Sequence, residues 1–470
     1  MYKKSGIFIL VASAIILLGC GNNNDSDCAP GTEGCRCAEG DECNEELTCA
    51  SNLCVDLNDS SSETGVLTNT NVDVPGMWVV GSHPDYHWDH VPATDVPYEL
   101  LTHLALSFLE PVGTAGSYSF EITGYGPQTL TAWKAEASKY IAAAHAANVK
   151  VLVDIGGEGG ADSFFLDVCQ SAANLSAFAE QMTAFMQDLG LDGIDLDWEG
   201  AAYDADCAAD ILLAWRSAWP DGIIVTAVGP LYGGTSSMTA GSGLAVAADA
   251  IDALMLMSYI PPDQTWTWWV VPVPVTPLHG AETPWGEIQS YSIDADFEGW
   301  TGLGIPASKI VMGVGGFGVA WADTNNDGLA PNAPYTNYNE LATDPVCTEQ
   351  YNCNQGAAGE IAPVGCSDNQ ITQQWVDTAI SESNGKLTLK TDDVGAVTYW
   401  GTPATNDLAT VSNPCGNGTI NVGSIYYESD TSMKTKKAYV AAHNMRGMEF
   451  WTLSQMKNAT GDYPILEALQ

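Results

Sequence analysis

The chain has 470 residues, 46% of them hydrophobic and 16% charged, a balance that excludes a disordered chain and suits a folded globular protein. Its 58 acidic residues against 15 basic give a net charge of −43, so the surface repels phosphate backbones and nucleic acid is excluded as a partner. Solubility accounts for that acidity, and an acidic face for a cationic partner is the alternative.

The chain opens MYKKSGIFILVASAIILLGC, with Lys3 and Lys4 before an apolar run. That run is too short to span the roughly 30 Å bilayer core as a helix, so residues 1–19 read as a cleaved signal. Leu17-Leu18-Gly19-Cys20 resembles a bacterial lipobox, which implies lipid on Cys20, residues 20–27 as a tether, and anchoring to the bacterial outer membrane or cell surface. A plain secretory signal is the alternative. Of 13 cysteines, removing Cys20 leaves an even number able to pair in an oxidising compartment. Cys28, Cys35, Cys37, Cys43, Cys49 and Cys54 crowd residues 28–54, a segment too short to bury a core, so disulfides are expected to hold it together as a small module. Zinc is the rival for such density, but no histidine or CxxC pair lies there. Residues 55–73 are polar and read as a linker.

From residue 74 onwards, short apolar runs alternate with helical periodicity. Strands are expected at 77–80, 103–108, 150–155, 193–198, 223–228, 253–258, 310–314 and 447–451. Trp133, Ala137, Tyr140, Ile141 and Ala144 mark a helix before the third strand. Leu175, Phe178, Met182, Phe185, Met186 and Leu189 mark another before the fourth. Eight strands with intervening helices predict an α/β fold of the (β/α)8 TIM barrel type over residues 74–470, with catalytic groups at the C-terminal ends of the strands. Roughly 120 residues separate the seventh and eighth strands, too many for a structureless loop, so an α+β insertion subdomain is expected at about 322–445.

The segment 191–200, LDGIDLDWEG, carries the chemistry. Side chains alternate along a strand, so Ile194, Leu196 and Trp198 should face helices while Asp195, Asp197 and Glu199 face the barrel axis. Like charges confined there share protons, which is how a carboxylic acid is kept protonated for general acid catalysis. A cluster binding a hard metal cation is the structural alternative.

DGIDLDWE matches the DxxDxDxE signature of family 18 glycoside hydrolases, the chitinase family, at Asp192, Asp195, Asp197 and Glu199. The resemblance extends along nearly all of 74–470. Gly156 and Gly157 match the family's SxGG and Met257 and Tyr259 its MxYD; 306–321 resembles its seventh-strand motif and 423–455 its closing helix and strand. It implies a retaining, substrate-assisted hydrolysis of β-1,4-linked N-acetylglucosamine, without metal or cofactor. By that resemblance Glu199 is the acid and base, Asp197 orients the acetamido group, Asp195 shares its proton, and Tyr259 holds the acetamido group. Trp451 would floor the sugar site, with Asp192, Met257 and Trp266 also assigned to substrate binding. A core role for Tyr259, and loop anchoring for Trp266, Trp268 and Trp269, remain open.

The sequence departs from the family at several positions. Asp154 stands where it usually has Ser, adding a fourth carboxylate able to raise neighbouring pKa values or share a proton with Asp192. Ile260 replaces an Asp, and Phe317 and Val319 stand at Tyr and Arg positions. Asp323, Asn325 and Asp327 resemble half of a calcium loop, but Pro334 occupies the position of the closing Glu, so any calcium would be structural. The expected partners are chitin or other N-acetylglucosamine-containing glycans, with the membrane reached only through lipid on Cys20 and the protein a monomer. An endo-N-acetylglucosaminidase acting on N-glycans or peptidoglycan, and a non-catalytic chitin-binding barrel, are the other functions the sequence allows.

Overall fold

The computed structural model describes residues 48–50, 53–55, 74–114, 116–122, 126–157, 161–199, 203–229, 242–259, 275–279, 281–283, 286–288, 292–323, 371–392, 397–401, 408–412 and 418–470. The signal, the tether, most of the cysteine module and the linker lie outside them. So do Trp266, Ile260, Asn325 and Asp327. The chain divides into a unit over residues 1–64 and another over 65–470. In the first, the strands Thr48–Ala50 and Leu53–Val55 pair antiparallel with Cys49 opposite Cys54.

The second unit holds eight parallel strands: β1 (Trp78–Pro84), β2 (His103–Thr114), β3 (Lys150–Gly157), β4 (Gly193–Trp198), β5 (Ile223–Val228), β6 (Ala253–Leu256), β7 (Ile310–Gly315) and β8 (Gly447–Trp451). Each pairs with its neighbours in chain order, and β8 pairs with β1 to close the ring. All eight fall where alternation and β-branching placed them. The (β/α)8 barrel is therefore the fold of this unit.

Helices α1 (Leu130–Ala146), α2 (Ala172–Leu189), α3 (Ala205–Ala218), α4 (Ile293–Gly302) and α6 (Asp430–Ala442) pack outside it, while α5 (Gln373–Glu382) packs against the strand Ala409–Ser412, where Trp375 Nε1 donates to the Ser412 carbonyl. Their starts follow from short polar side chains that accept orphan N–H groups: Thr129 from Ala132, Ser171 from Asn174, Asp204 from Asp206 and Cys207, and Ser292 from Ala295. The disulfide Cys169–Cys207 ties the turn before α2 to the first turn of α3, just beyond β4.

Strand alternation divides the core in two. Val151, Val153, Ile155, Ile194, Leu196, Trp198 and their counterparts pack outward against the helices, with Trp198 lying 4.9 Å from Phe165 between ring centroids. Inside the ring, Val80, Ala105, Leu152, Val225, Ala253 and Val311 build an apolar layer. Below it, at the strand N-termini, Trp78 stacks 3.9 Å from His103 and Arg446 lies 4.5 Å over Trp78. The lumen is thus plugged at that end.

Between β7 and β8 the chain builds a separate antiparallel sheet. Val319–Asp323, Thr388–Asp392, Val397–Gly401 and Ala409–Ser412 join it, and the long strand Thr419–Tyr426 pairs with three of them. The expected insertion reached residue 445, but α6 belongs to the barrel's outer ring. Its Tyr439 donates to Asp294 of α4 and meets Phe297 edge-on. Helical periodicity alone cannot say which sheet a helix covers.

Candidate active site

β4 sets Asp195 and Asp197 on its lumen face, and both are buried, at 3% and 6% exposure. Asp154 lies on β3 directly opposite Asp195, and Gly156 lies opposite Asp197. Gly156 has φ +115°, and a Cβ there would collide with the Asp197 backbone carbonyl. Only glycine suits both its left-handed backbone and that close approach, which explains the Gly pair at the end of β3. Glu199, partly exposed, follows the end of β4 at the lumen mouth. Tyr259 descends from the segment after β6 into the lumen beside Met257, and Gly313 of β7 leaves room for its ring.

Trp451 closes β8 on the same inner face, 5.5 Å from Phe108 between ring centroids, and Phe317 meets Tyr259 edge-on at 6.3 Å. Asp195, Asp197, Glu199, Tyr259, Met257 and Trp451 are therefore brought to one end of the lumen. The calcium-like run contributes only Asp323 to the described strands, and Trp266 lies outside them.

Asp192 is a correction. It precedes Gly193 at the opposite end of β4, where it accepts from His145 Nε2 at 2.7 Å, Lys150 Nζ at 2.7 Å and the Val151 N–H at 2.9 Å. Burial opposes its ionisation, but those donors outweigh burial and hold its pKa below the usual carboxylate value. Seven residues of extended chain put it about 23 Å from Glu199. It clamps the barrel's base, and its hydrogen bonds run to His145, Lys150 and Val151 and not to Asp154, so the shared proton considered for those two is not formed.

The sequence reading missed Glu449. It sits at the middle of β8 with 3% exposure and accepts from Ser82 Oγ at 2.7 Å. The signal was present: Gly447, Glu449 and Trp451 alternate with Met448 and Phe450, so Glu449 shares Trp451's inner face. Asp154 in turn accepts from Ser107 of β2. Among the described residues, no Lys, Arg or His forms an ion pair with Asp154, Asp195, Asp197 or Glu449.

Burial without a cation drives protons onto this group. It pushes Asp154 up to about 7, against the Ser107 hydrogen bond. Burial likewise lifts Glu449 to about 8, with Ser82 opposing and the Asp154 charge adding. Asp195 is raised well above its ordinary value by burial, then by the charges of Asp154 and Glu449. Asp197 is raised by burial and by Glu199, Asp195, Asp154 and Glu449. Tyr259 is raised by burial and by the charges of Glu449, Asp197, Glu199 and Asp154, so it stays a neutral hydrogen-bond donor. Such a pocket can donate a proton at its mouth and stabilise a positive charge deeper in, the two demands of glycoside cleavage.

The sequence model described as Glycosyl hydrolases family 18 matches residues 83–455. A stretch of 193 residues, 39% of this chain, is 26% identical to a "Probable endochitinase" of Caenorhabditis elegans and spans 30% of that protein. Another of 336 residues, 67% of this chain, is 24% identical to "Chitinase A1" of Niallia circulans and spans 41% of it. The chain thus spans well under two thirds of the length of these curated relatives. Among solved structures, the Ostrinia furnacalis Group IV chitinase superposes with a TM-score of 0.62 at 17% identity, covering 84% of this chain and 98% of that one.

Proposed function

The chain belongs to the glycosyl hydrolases of family 18, and from that premise we propose that it is a chitinase. In this reading it hydrolyses β-1,4 linkages of N-acetylglucosamine polymers or oligomers by a retaining, substrate-assisted route. What supports it is the single face of β4, which sets two buried aspartates of raised proton affinity beneath a glutamate at the pocket mouth. Glu199 protonates the glycosidic oxygen as the bond to the anomeric carbon breaks. The substrate's own acetamido oxygen attacks that carbon, giving an oxazolinium ion and freeing the reducing-end fragment. Asp197 accepts a hydrogen bond from the acetamido N–H while its proton passes to Asp195, so a negative charge develops beside the positive ring. Tyr259 donates its hydroxyl to the acetamido oxygen, and Trp451 offers its flat face to the sugar. Glu199 then takes a proton from water, which opens the oxazolinium with net retention.

The nucleophile belongs to the substrate, so the N-acetyl group is indispensable. Fully acetylated oligomers are expected to be cleaved, whereas fully deacetylated oligomers of the same length should turn over at least about a hundredfold more slowly. Chromatography of the products checks this. Equal cleavage of both would remove the substrate-assisted route, and release of glycans from glycoprotein with chitin oligomers left intact would assign the chemistry to an endo-N-acetylglucosaminidase instead.

A further inference from the structure

The reaction as proposed uses Asp195, Asp197 and Glu199; it has no part for Asp154 or Glu449. Yet both are buried in the same lumen, on β3 and β8, and each accepts a hydrogen bond from a serine hydroxyl. One oxygen each of Asp154, Asp195 and Asp197 is buried with no hydrogen-bond partner among the described residues. Carboxylate oxygens only accept, so such a group is satisfied when some of its members carry protons and donate to the others.

Among the described residues no cation reaches this group, and the Ala227 backbone N–H gives Asp195 a partial offset. Around the ring, β1 contributes Ser82, β2 Ser107, β4 Asp195 and Asp197 with Glu199 beyond them, and the segment after β6 Tyr259. β5 offers Val225 and Ala227, whose backbone N–H donates to Asp195, and β7 offers Val311 and two glycines. His103 and Arg446 lie below the apolar layer, at the plugged end beside Trp78.

We propose, resting on the hydrolytic reading above, that Asp154 and Glu449 are positioning residues that keep their protons behind Asp195. Holding those protons limits the buried negative charge to the one that Asp197 must carry when the substrate's ring turns cationic. Ionising either would set a second uncompensated charge against Asp195 and Asp197, disturbing the proton shared by that pair and driving the strands apart. The raised proton affinities of both groups agree with this placement.

The sign follows from linkage. Carboxyls whose folded-state pKa is raised leave stability intact below the ordinary carboxylate range and remove it as pH climbs through about 7 for Asp154 and about 8 for Glu449. The test uses the full chain and the variants Asp154→Asn and Glu449→Gln, neutral at every pH and close in shape. Thermal midpoints are measured from pH 5 to 9, together with oligomer turnover normalised to each variant's own maximum. The expected result is a fall in wild-type midpoint from pH 5 to about 8, levelling above that, which is visibly flatter in both variants. With it, the alkaline decline of normalised turnover should move up by about one pH unit or more. Midpoints and normalised profiles that superimpose on wild type would overturn the proposal, as would folded variants whose flattened midpoints come with an unmoved alkaline limb. The melts need no substrate: if wild type cleaves no oligomer, the hydrolytic reading fails, while a midpoint slope that the variants leave unflattened still overturns proton holding.

Discussion

Replacing Glu199 with Gln is expected to lower turnover of N-acetylglucosamine oligomers by about two to four orders of magnitude with little change in binding. Gln fills the same space at the lumen mouth and keeps a polar end, but it cannot deliver a proton to the leaving oxygen. At about 1.4 kcal/mol per decade, the loss is about 3–5 kcal/mol of transition-state stabilisation. It should appear in kcat, because Glu199 acts on the leaving oxygen while Trp451 and Tyr259 hold the ring. The check is steady-state kinetics on wild type and variant, with calorimetric binding of the same oligomer. Unimpaired kcat in Glu199→Gln would move the acid elsewhere.

The second large effect concerns stability. Lys436 of α6 is fully buried and reaches both carboxylate oxygens of Glu428 at 2.9 Å. Glu428 also accepts from Thr276 at 2.5 Å and from Ser432 at 2.6 Å, so its charge is met on every side. A fully bonded pair of this kind gives modest net stability, but removing one partner strands a charge in the core. Lys436→Met is therefore expected to cost about 3–5 kcal/mol in denaturant unfolding, and the double variant with Glu428→Leu less than the sum of the two single losses. Additive losses would mean that the two groups do not act as a pair.

That pair also bears on the pocket. Glu428 follows Tyr426, which packs inside the lumen, and Tyr427, whose hydroxyl donates to the Gly316 and Gln455 carbonyls at 3.0 and 3.2 Å. The last strand of the inserted sheet is thereby fastened to the segments after β7 and β8. A loosened pair should free the wall carrying Tyr426.

Much of this was legible in the sequence because barrel strands announce themselves twice. Their β-branched runs mark the strands, and alternation assigns each side chain to the lumen or the helices. Ile194, Leu196 and Trp198 went outward, and Asp195 and Asp197 inward, as period two requires. The resemblance assigned Asp192 to the substrate, yet a motif does not say how deep in the barrel each of its acids lies. Asp192 precedes β4, so its neighbours are set by α1 and the start of β3, through His145 and Lys150. Glu449 was missed for a different reason. A single acid in a hydrophobic run carries no local motif, and its partner Ser82 lies 367 residues away in sequence. The boundary of the insertion was misjudged because α6 looks the same whichever sheet it covers.

In a retaining, substrate-assisted hydrolysis the substrate's own acetamido group attacks first and water second, on opposite faces of one carbon. Proton magnetic resonance of the wild-type chain acting on an N-acetylglucosamine pentamer, read within the first minutes, tests this route most directly. The new reducing ends are expected to appear as the β-anomer and only later drift to the equilibrium mixture. Reducing ends that appear first as the α-anomer would contradict it, because direct attack by water inverts the carbon once.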